Sequence, residues 1–262
     1  MLPLLLLSFL TRALAAPISI PSPYSILPVA LGGTPPTTPS VSLPYITVTG
    51  FGNANIDTFN GIPFAQPPIG QLRFKPPQPI TTNLGNMTLP SIGKACPQQF
   101  LDTSKFPTEA LAYLADSSFF QTVTDAGEDC LTINVQRPAG VTKGANLPVL
   151  FWIYGGGFEL GSTQIYGGAD IIQNGMDQKQ PIMFVAVNYR VGAFGFMHGK
   201  ELTDEGSTNV GLLDQRLGLQ WVADNIAEFG GDPTKVTIWG ESAGAISVFD
   251  QMAVSLSPRS IV

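Results

Sequence analysis

Two glycine-rich stretches carry residue types and a spacing suited to chemistry at a carbonyl carbon. The first is Gly240-Glu241-Ser242-Ala243-Gly244, which follows a β-rich run from Val236 to Trp239 and opens a small-residue segment that can be helical. In a strand–turn–helix setting, so tight a turn holds the serine in a strained backbone and stands its hydroxyl at the carboxyl end of a sheet. Larger side chains two residues to either side would clash. Backbone N–H groups at a helix amino end favour developing negative charge, so Ser242 is the candidate nucleophile. Taken alone, the pentapeptide also reads as an ordinary turn. The second stretch, Tyr154-Gly155-Gly156-Gly157-Phe158, closes an apolar run from Pro148. Three successive glycines leave N–H groups unshielded and free to point at an oxyanion. Its competing readings are a flexible turn or a phosphate loop, but no Gly-Lys-Ser/Thr follows, and Gly50 to Asn55 lacks the third glycine of a dinucleotide loop. Together the two stretches describe both halves of an acyl-transfer site: the attacking oxygen and the donors that stabilise a tetrahedral intermediate.

These pieces need a sheet to position them. Leu131 to Gln136, Pro148 to Tyr154, Ile182 to Asn188 and Val236 to Trp239 read as strands bounded by Gly, Pro or Asn. The middle two are nearly continuous apolar runs, as expected of strands covered on both faces. Leu212 to Phe229 predicts a helix with Leu213, Leu217, Gln220, Trp221, Ala223 and Ile226 along its buried stripe. The expected fold class is α/β, with a mainly parallel central sheet.

Composition removes several other classes. Thirteen Lys and Arg against 19 Asp and Glu give the 262-residue chain a net charge of −6 with no basic cluster, which disfavours nucleic acid. One His and two Cys cannot fill a zinc or haem ligand shell, so no metal or cofactor is expected. Residues 1–16 read as a secretory signal peptide, with an apolar core from Met1 to Leu10 and small residues Ala13 to Ala16. Arg12 and Pro17 cut the run short of a membrane span, and no later segment reaches spanning length. Residues 17–44, uncharged and rich in Pro, Ser and Thr, predict an extended leader, with one globular domain from 45 to 262. Secretion implies an oxidising compartment in which Cys96 and Cys130 form the one pairing available; two separate buried thiols are the alternative. Asn86-Met87-Thr88 is the single glycosylation sequon.

From about Thr58 to Gln251 the chain resembles the type-B carboxylesterase/lipase family, cholinesterase-like α/β-hydrolases, and especially its secreted fungal lipases. The motifs that carry this are Gly61-Ile62-Pro63-Phe64-Ala65, Leu72-Arg73-Phe74, Glu128 to Val135, the Gly155 to Phe158 run, Asn188-Tyr189-Arg190, Gly211 to Arg216 and Phe229 to Pro233 leading to Ser242. The resemblance implies an α/β-hydrolase fold, Ser242 as nucleophile, and the N–H groups of Gly156, Gly157 and Ala243 as oxyanion donors. An ester is then the implied substrate. It also implies a Cys96–Cys130 disulfide at the base of a lid loop and two buried ion pairs, Arg73 with Glu128 and Arg190 with Asp214. Within that loop Pro107 to Asp116 predicts an amphipathic helix, either a lipid-engaging lid or a packed surface helix. Asp232-Pro233 is read as a turn or cap.

The order expected in this fold is Ser, then Asp or Glu, then His. After Ser242 come 20 residues with Asp250 and no His, and the lone His198 lies in a Gly-Phe-x-x-Gly turn, so it is read as a loop residue. The expectation is therefore the amino-terminal half of a secreted ester hydrolase, truncated after the elbow strand and helix, inactive alone and poorly soluble. A catalytically dead fragment or a non-catalytic cholinesterase-like interaction domain is the alternative.

Overall fold

The computed structural model of the chain describes residues 38–98 and 125–255. The readings of residues 1–37 and of the helix at 107–116 lie outside them. Among the described residues nine strands and five α-helices follow in order: β1 (Ser40–Leu43), β2 (Ile46–Thr49), β3 (Phe51–Gly52), β4 (Ile56–Pro63), β5 (Asn86–Thr88), β6 (Thr132–Pro138), β7 (Leu147–Ile153), α1 (Ala169–Asp177), β8 (Met183–Val187), α2 (Gly192–Phe196), α3 (Lys200–Asp204), α4 (Val210–Asn225), β9 (Gly231–Gly240) and α5 (Ala243–Ser255). No described helix is long and apolar enough to cross a membrane. β1, within the stretch read as leader, pairs antiparallel with β2, and β5 adds to β2 in parallel.

The larger sheet runs β3-β4-β6-β8-β7-β9. It is mixed where a mainly parallel sheet was expected. Parallel pairing is confined to β8–β7 and β7–β9, while β3–β4, β4–β6 and β6–β8 are antiparallel. β7 reaches β8, and β8 reaches β9, through helical crossovers that return the chain to the same end, as parallel pairing demands. β4 and β6 run up and down instead.

Side-chain alternation along the sheet builds a core on each face. Val149, Phe151 and Ile153 of β7 and Met183, Val185 and Val187 of β8 join Trp221 and Val222 of α4 on one face. Trp152, Phe184 and Ala186 meet Ile172 of α1 on the other. With helices on opposite faces of a sheet whose order reverses around β7, the carboxyl ends of β7, β8 and β9 lie at a topological switch point, where α/β sheets form their binding crevices.

Helix α4 forms as expected but is turned from the expected stripe. Its buried residues include Val210, Gly211, Asp214, Gln215, Gly218, Trp221, Val222 and Asn225, a regular helical face on which five of these eight positions are polar or glycine. Leu213, expected inside, is exposed. Polar residues hold that face because each finds a partner: Asp214 takes Arg190, Gln215 donates to Ser247 Oγ at 2.9 Å, and Asn225 donates to Trp221 O at 2.9 Å. Hydrophobicity alone therefore could not mark it. On α5, Ile246, Phe249 and Met252, three residues apart, are exposed beside β9, whose far edge has no strand partner among the described residues.

Candidate active site

Ser242 sits where β9 turns into α5, with φ +54° in the left-handed region that L-residues rarely occupy. Two glycines allow it. A Cβ on Gly244 would fall 2.0 Å from Ile153 O and 2.9 Å from Tyr154 O, and one on Gly240 would lie 2.6 Å from Ile153 O and from the Gly244 carbonyl carbon. The turn thus presses backbone to backbone against the end of β7, which is why only hydrogen fits at either position. Gly244 N–H donates to Glu241 O at 2.7 Å and Ile246 N–H to Ser242 O at 3.1 Å, so the helix begins at once. Ala243 is buried, whereas Ser242 is exposed.

The triple glycine continues directly from β7 and meets this turn. A Cβ on Gly155 would lie 2.6 Å from Glu241 O and 3.0 Å from Ser242 Cβ, so corner and elbow are in contact. Gly156, at φ +120°, accepts from Glu159 N–H at 3.0 Å and Leu160 N–H at 3.1 Å, and a Cβ there would be 2.0 Å from Leu160 O. Gly157, at φ +64°, faces open space, with nothing within 4 Å of the position a Cβ would take. Among the described residues the N–H groups of Gly156, Gly157 and Ala243 meet no acceptor. Three unsatisfied donors beside an exposed hydroxyl can accept a negatively charged oxygen.

Several contacts fix the corner. Tyr154 and Tyr189 stack with ring centroids 4.4 Å apart and exchange hydrogen bonds: each hydroxyl donates to the other residue's carbonyl at 2.8 Å. Burial pushes both phenols above their ordinary pKa, so they stay neutral donors. Next along, Asp214 accepts from Arg190 N–H at 3.0 Å, Nε at 2.8 Å and Nη2 at 2.7 Å, with both side chains buried. Burial raises the Asp214 pKa, and the guanidinium opposes that shift. The Cys96–Cys130 disulfide forms, with Cα atoms 5.0 Å apart. Gln98, just beyond it, accepts from Gly161 N–H at 2.9 Å and donates to Gly161 O at 3.0 Å. The base of the disulfide loop is thereby tied to the back of the corner. On the other side Tyr166 lies against Trp152, which lies against Trp239, and its hydroxyl donates to Glu241 Oε2 at 3.0 Å. Burial and the nearby carboxylate both raise its pKa.

Arg73 and Glu128 pair through two hydrogen bonds, one of them Nη2 to Oε2 at 2.6 Å, but at the surface. Their side chains are 45% and 24% exposed, a correction to the buried pair expected. Arg73 follows a single 3-10 turn at Gly70–Leu72, and Glu128 lies just ahead of Cys130, so both belong to loops outside the sheet. Asn86 stands on β5, in the smaller sheet. His198 is exposed on the wall of a cavity of about 690 Å³ that also touches Gly157, Phe158, Phe194 and Met197; among the described residues it makes no hydrogen bond to Ser242. Sequence reasoning did not find the Tyr154–Tyr189 exchange, the Gln98 tether or the Tyr166–Glu241 bond. The one available signal was that Tyr154 and Tyr189 both follow closely on neighbouring parallel strands.

A family profile described as the carboxylesterase family matches residues 37–261. The chain is 52% identical over 250 residues to Secreted lipase 1 of Botryotinia fuckeliana, covering 94% of this chain and 43% of that relative. It is 38% identical over 216 residues to the para-nitrobenzyl esterase of Bacillus subtilis, covering 82% and 40%. The crystal structure of Aspergillus niger EstA superposes with a TM-score of 0.68 at 37% identity, covering 81% of this chain and 37% of that one. The chain thus spans about two-fifths of the length of the relatives it matches. With the family profile matching across the described residues and relatives up to 52% identical over most of its length, the chain belongs to the carboxylesterase family.

Proposed function

We propose that the chain supplies the nucleophile and the oxyanion donors of a secreted carboxylic ester hydrolase. The observation that carries this reading is the contact of Gly155 with Glu241 and Ser242, which sets an exposed hydroxyl beside N–H groups of Gly156, Gly157 and Ala243 that lack an acceptor among the described residues. In this reading Ser242 Oγ attacks the ester carbonyl carbon as a base takes its proton. The three N–H groups hold the tetrahedral oxyanion, the alcohol leaves, and water releases the acid from the acyl-enzyme. No metal or organic cofactor enters these steps. The base is not among the described residues that touch Ser242. Secretion is supported by the apolar opening segment, the disulfide and the names of the fungal relatives. A lid role for the disulfide loop rests on its tether to the corner through Gln98.

A fluorophosphonate probe tests the assignment, with imidazole added as an exogenous base. Attack breaks the P–F bond, releases fluoride and forms an Oγ–P bond, while imidazole takes the proton. The expected result is a mass adduct on the Ser242 peptide that grows with imidazole and disappears in Ser242→Ala. An unmodified Ser242 under these conditions, in protein whose circular dichroism shows it folded, overturns the reading and leaves a binding domain.

A further inference from the structure

We infer that Asn86 carries an N-linked glycan and that this glycan shields the outer face of the three-stranded sheet and its β5 edge, which has no strand partner among the described residues. The site lies on a different sheet from Ser242, and the inference stands apart from the hydrolase reading. The register sets out two rows across that sheet, Ser42–Thr47–Asn86 and Ser40–Thr49–Thr88. Val41, Leu43, Ile46 and Val48 turn to the core, and Met87 packs against it, so both rows face outward. Asn86 and Thr88 are exposed, and neither side chain has a hydrogen-bond partner among the described residues. Strand periodicity of two places the amide and the hydroxyl of the sequon on the same outward side.

The backbone supplies the second half of the argument. Gly85 O accepts from Thr47 N–H at 2.9 Å and Leu89 N–H donates to Thr49 O at 3.2 Å, so odd-numbered residues bond to β2. The N–H and C=O groups of Asn86 and Thr88 therefore point out of the sheet, on a strand that is last in its order. Proteins blunt such edges with charges, and β1, β2 and β5 hold none. A hydrated oligosaccharide rooted on the edge strand supplies what charge does not.

The modification balances as a glycosyl transfer. Asn86 Nδ2 bonds to C1 of the first sugar as the C1–O bond to a lipid diphosphate donor breaks. The diphosphate leaves with the electron pair, and the amide loses one proton to base.

The full chain expressed through a yeast secretory pathway tests the inference. Glycopeptide mass spectrometry should find Asn86 modified, with the modification lost in Asn86→Gln and Thr88→Ala and kept in Thr88→Ser. Failure of the chain to enter the secretory lumen, or entry with Asn86 bare, overturns it. For the shielding, light scattering should show a severalfold larger oligomer fraction after enzymatic deglycosylation and in Asn86→Gln. Thr88→Pro, which loses the sequon but places proline at an outward N–H, should restore the low fraction. Equal association of Thr88→Pro and Asn86→Gln, or no change on deglycosylation, refutes the shielding.

Discussion

Replacing Gly244 with alanine sets two effects of opposite sign against each other. The residue lies in the first turn of α5, where alanine is intrinsically better than glycine by about 1 kcal/mol. Its Cβ, however, would stand 2.0 Å from Ile153 O, 2.8 Å from Ile153 C and 2.9 Å from Tyr154 O. Every one of these atoms is backbone, so no side chain can rotate away. From 2.0 Å to the 3.4 Å of ordinary contact the elbow must retreat 1.4 Å from β7. Overpacking against movable side chains costs about 1–3 kcal/mol, and rigid backbone belongs at or above the top of that range. The net expectation is a loss of about 2 kcal/mol or more. With a urea slope of about 2–3 kcal/mol/M, the unfolding midpoint followed by tryptophan fluorescence should fall by about 1 M. Gly140→Ala is the control: φ is +76° with nothing within 4 Å, so left-handed strain alone costs about 1–2 kcal/mol. A Gly244→Ala midpoint that rises, as helix propensity by itself dictates, refutes the backbone contact between elbow and β7 and, with it, the geometry that brings Ser242 to the glycine corner.

The other predictions concern charge. Asp214→Asn leaves the Arg190 guanidinium buried without its counter-charge and should cost about 3–5 kcal/mol in urea unfolding, whereas replacing both residues with Leu and Met should recover most of that loss. An undiminished midpoint in the single variant would show that the pair contributes nothing. Asp232 accepts from Thr234 N–H and Oγ1 and lies 2.9 Å from Lys235 Nζ, and these bonds lower its pKa to about 2 from 3.8. A depressed carboxylate adds stability that is present above the unfolded pKa and lost as pH falls through the folded one. Asp232→Asn should therefore flatten the pH dependence of the midpoint between about pH 4 and pH 2, and an unchanged slope there contradicts the assignment.

The site was legible where its demands are local. A turn that must admit a serine at positive φ against another strand's backbone requires small residues two positions either side, and that demand is written into five consecutive letters. The Gly155–Gly157 corner is visible for the same reason. What sequence reasoning missed is long-range and polar. β4 holds Asp57, Asn60, Gly61 and Pro63 and does not read as a central strand, yet it is buried because Asp57 meets Arg137 across the β4–β6 pair and Gly61 N–H donates to Asn134 Oδ1 at 2.7 Å. The face of α4 eluded a hydrophobic count in the same way, since Asp214 and Gln215 are inside only because Arg190 and Ser247 are there to receive them.

The same contrast explains why the two motifs meet at one place. Neither the elbow nor the corner is held by its own segment alone. Both rest on β7, the strand flanked by β8 and β9, and β7 meets the elbow through backbone atoms at Ile153 and Tyr154 that no substitution of their side chains can remove. Specificity of placement therefore resides in glycines 155, 240 and 244, where a methyl group is enough to force the parts apart. The tyrosine pair adds the remaining constraint. By exchanging hydrogen bonds with the segment after β8, Tyr154 fixes the corner from the side opposite the elbow. In the proposed hydrolase, donors held from two sides are oriented before an oxyanion forms, which is the condition for their stabilisation to fall on the transition state.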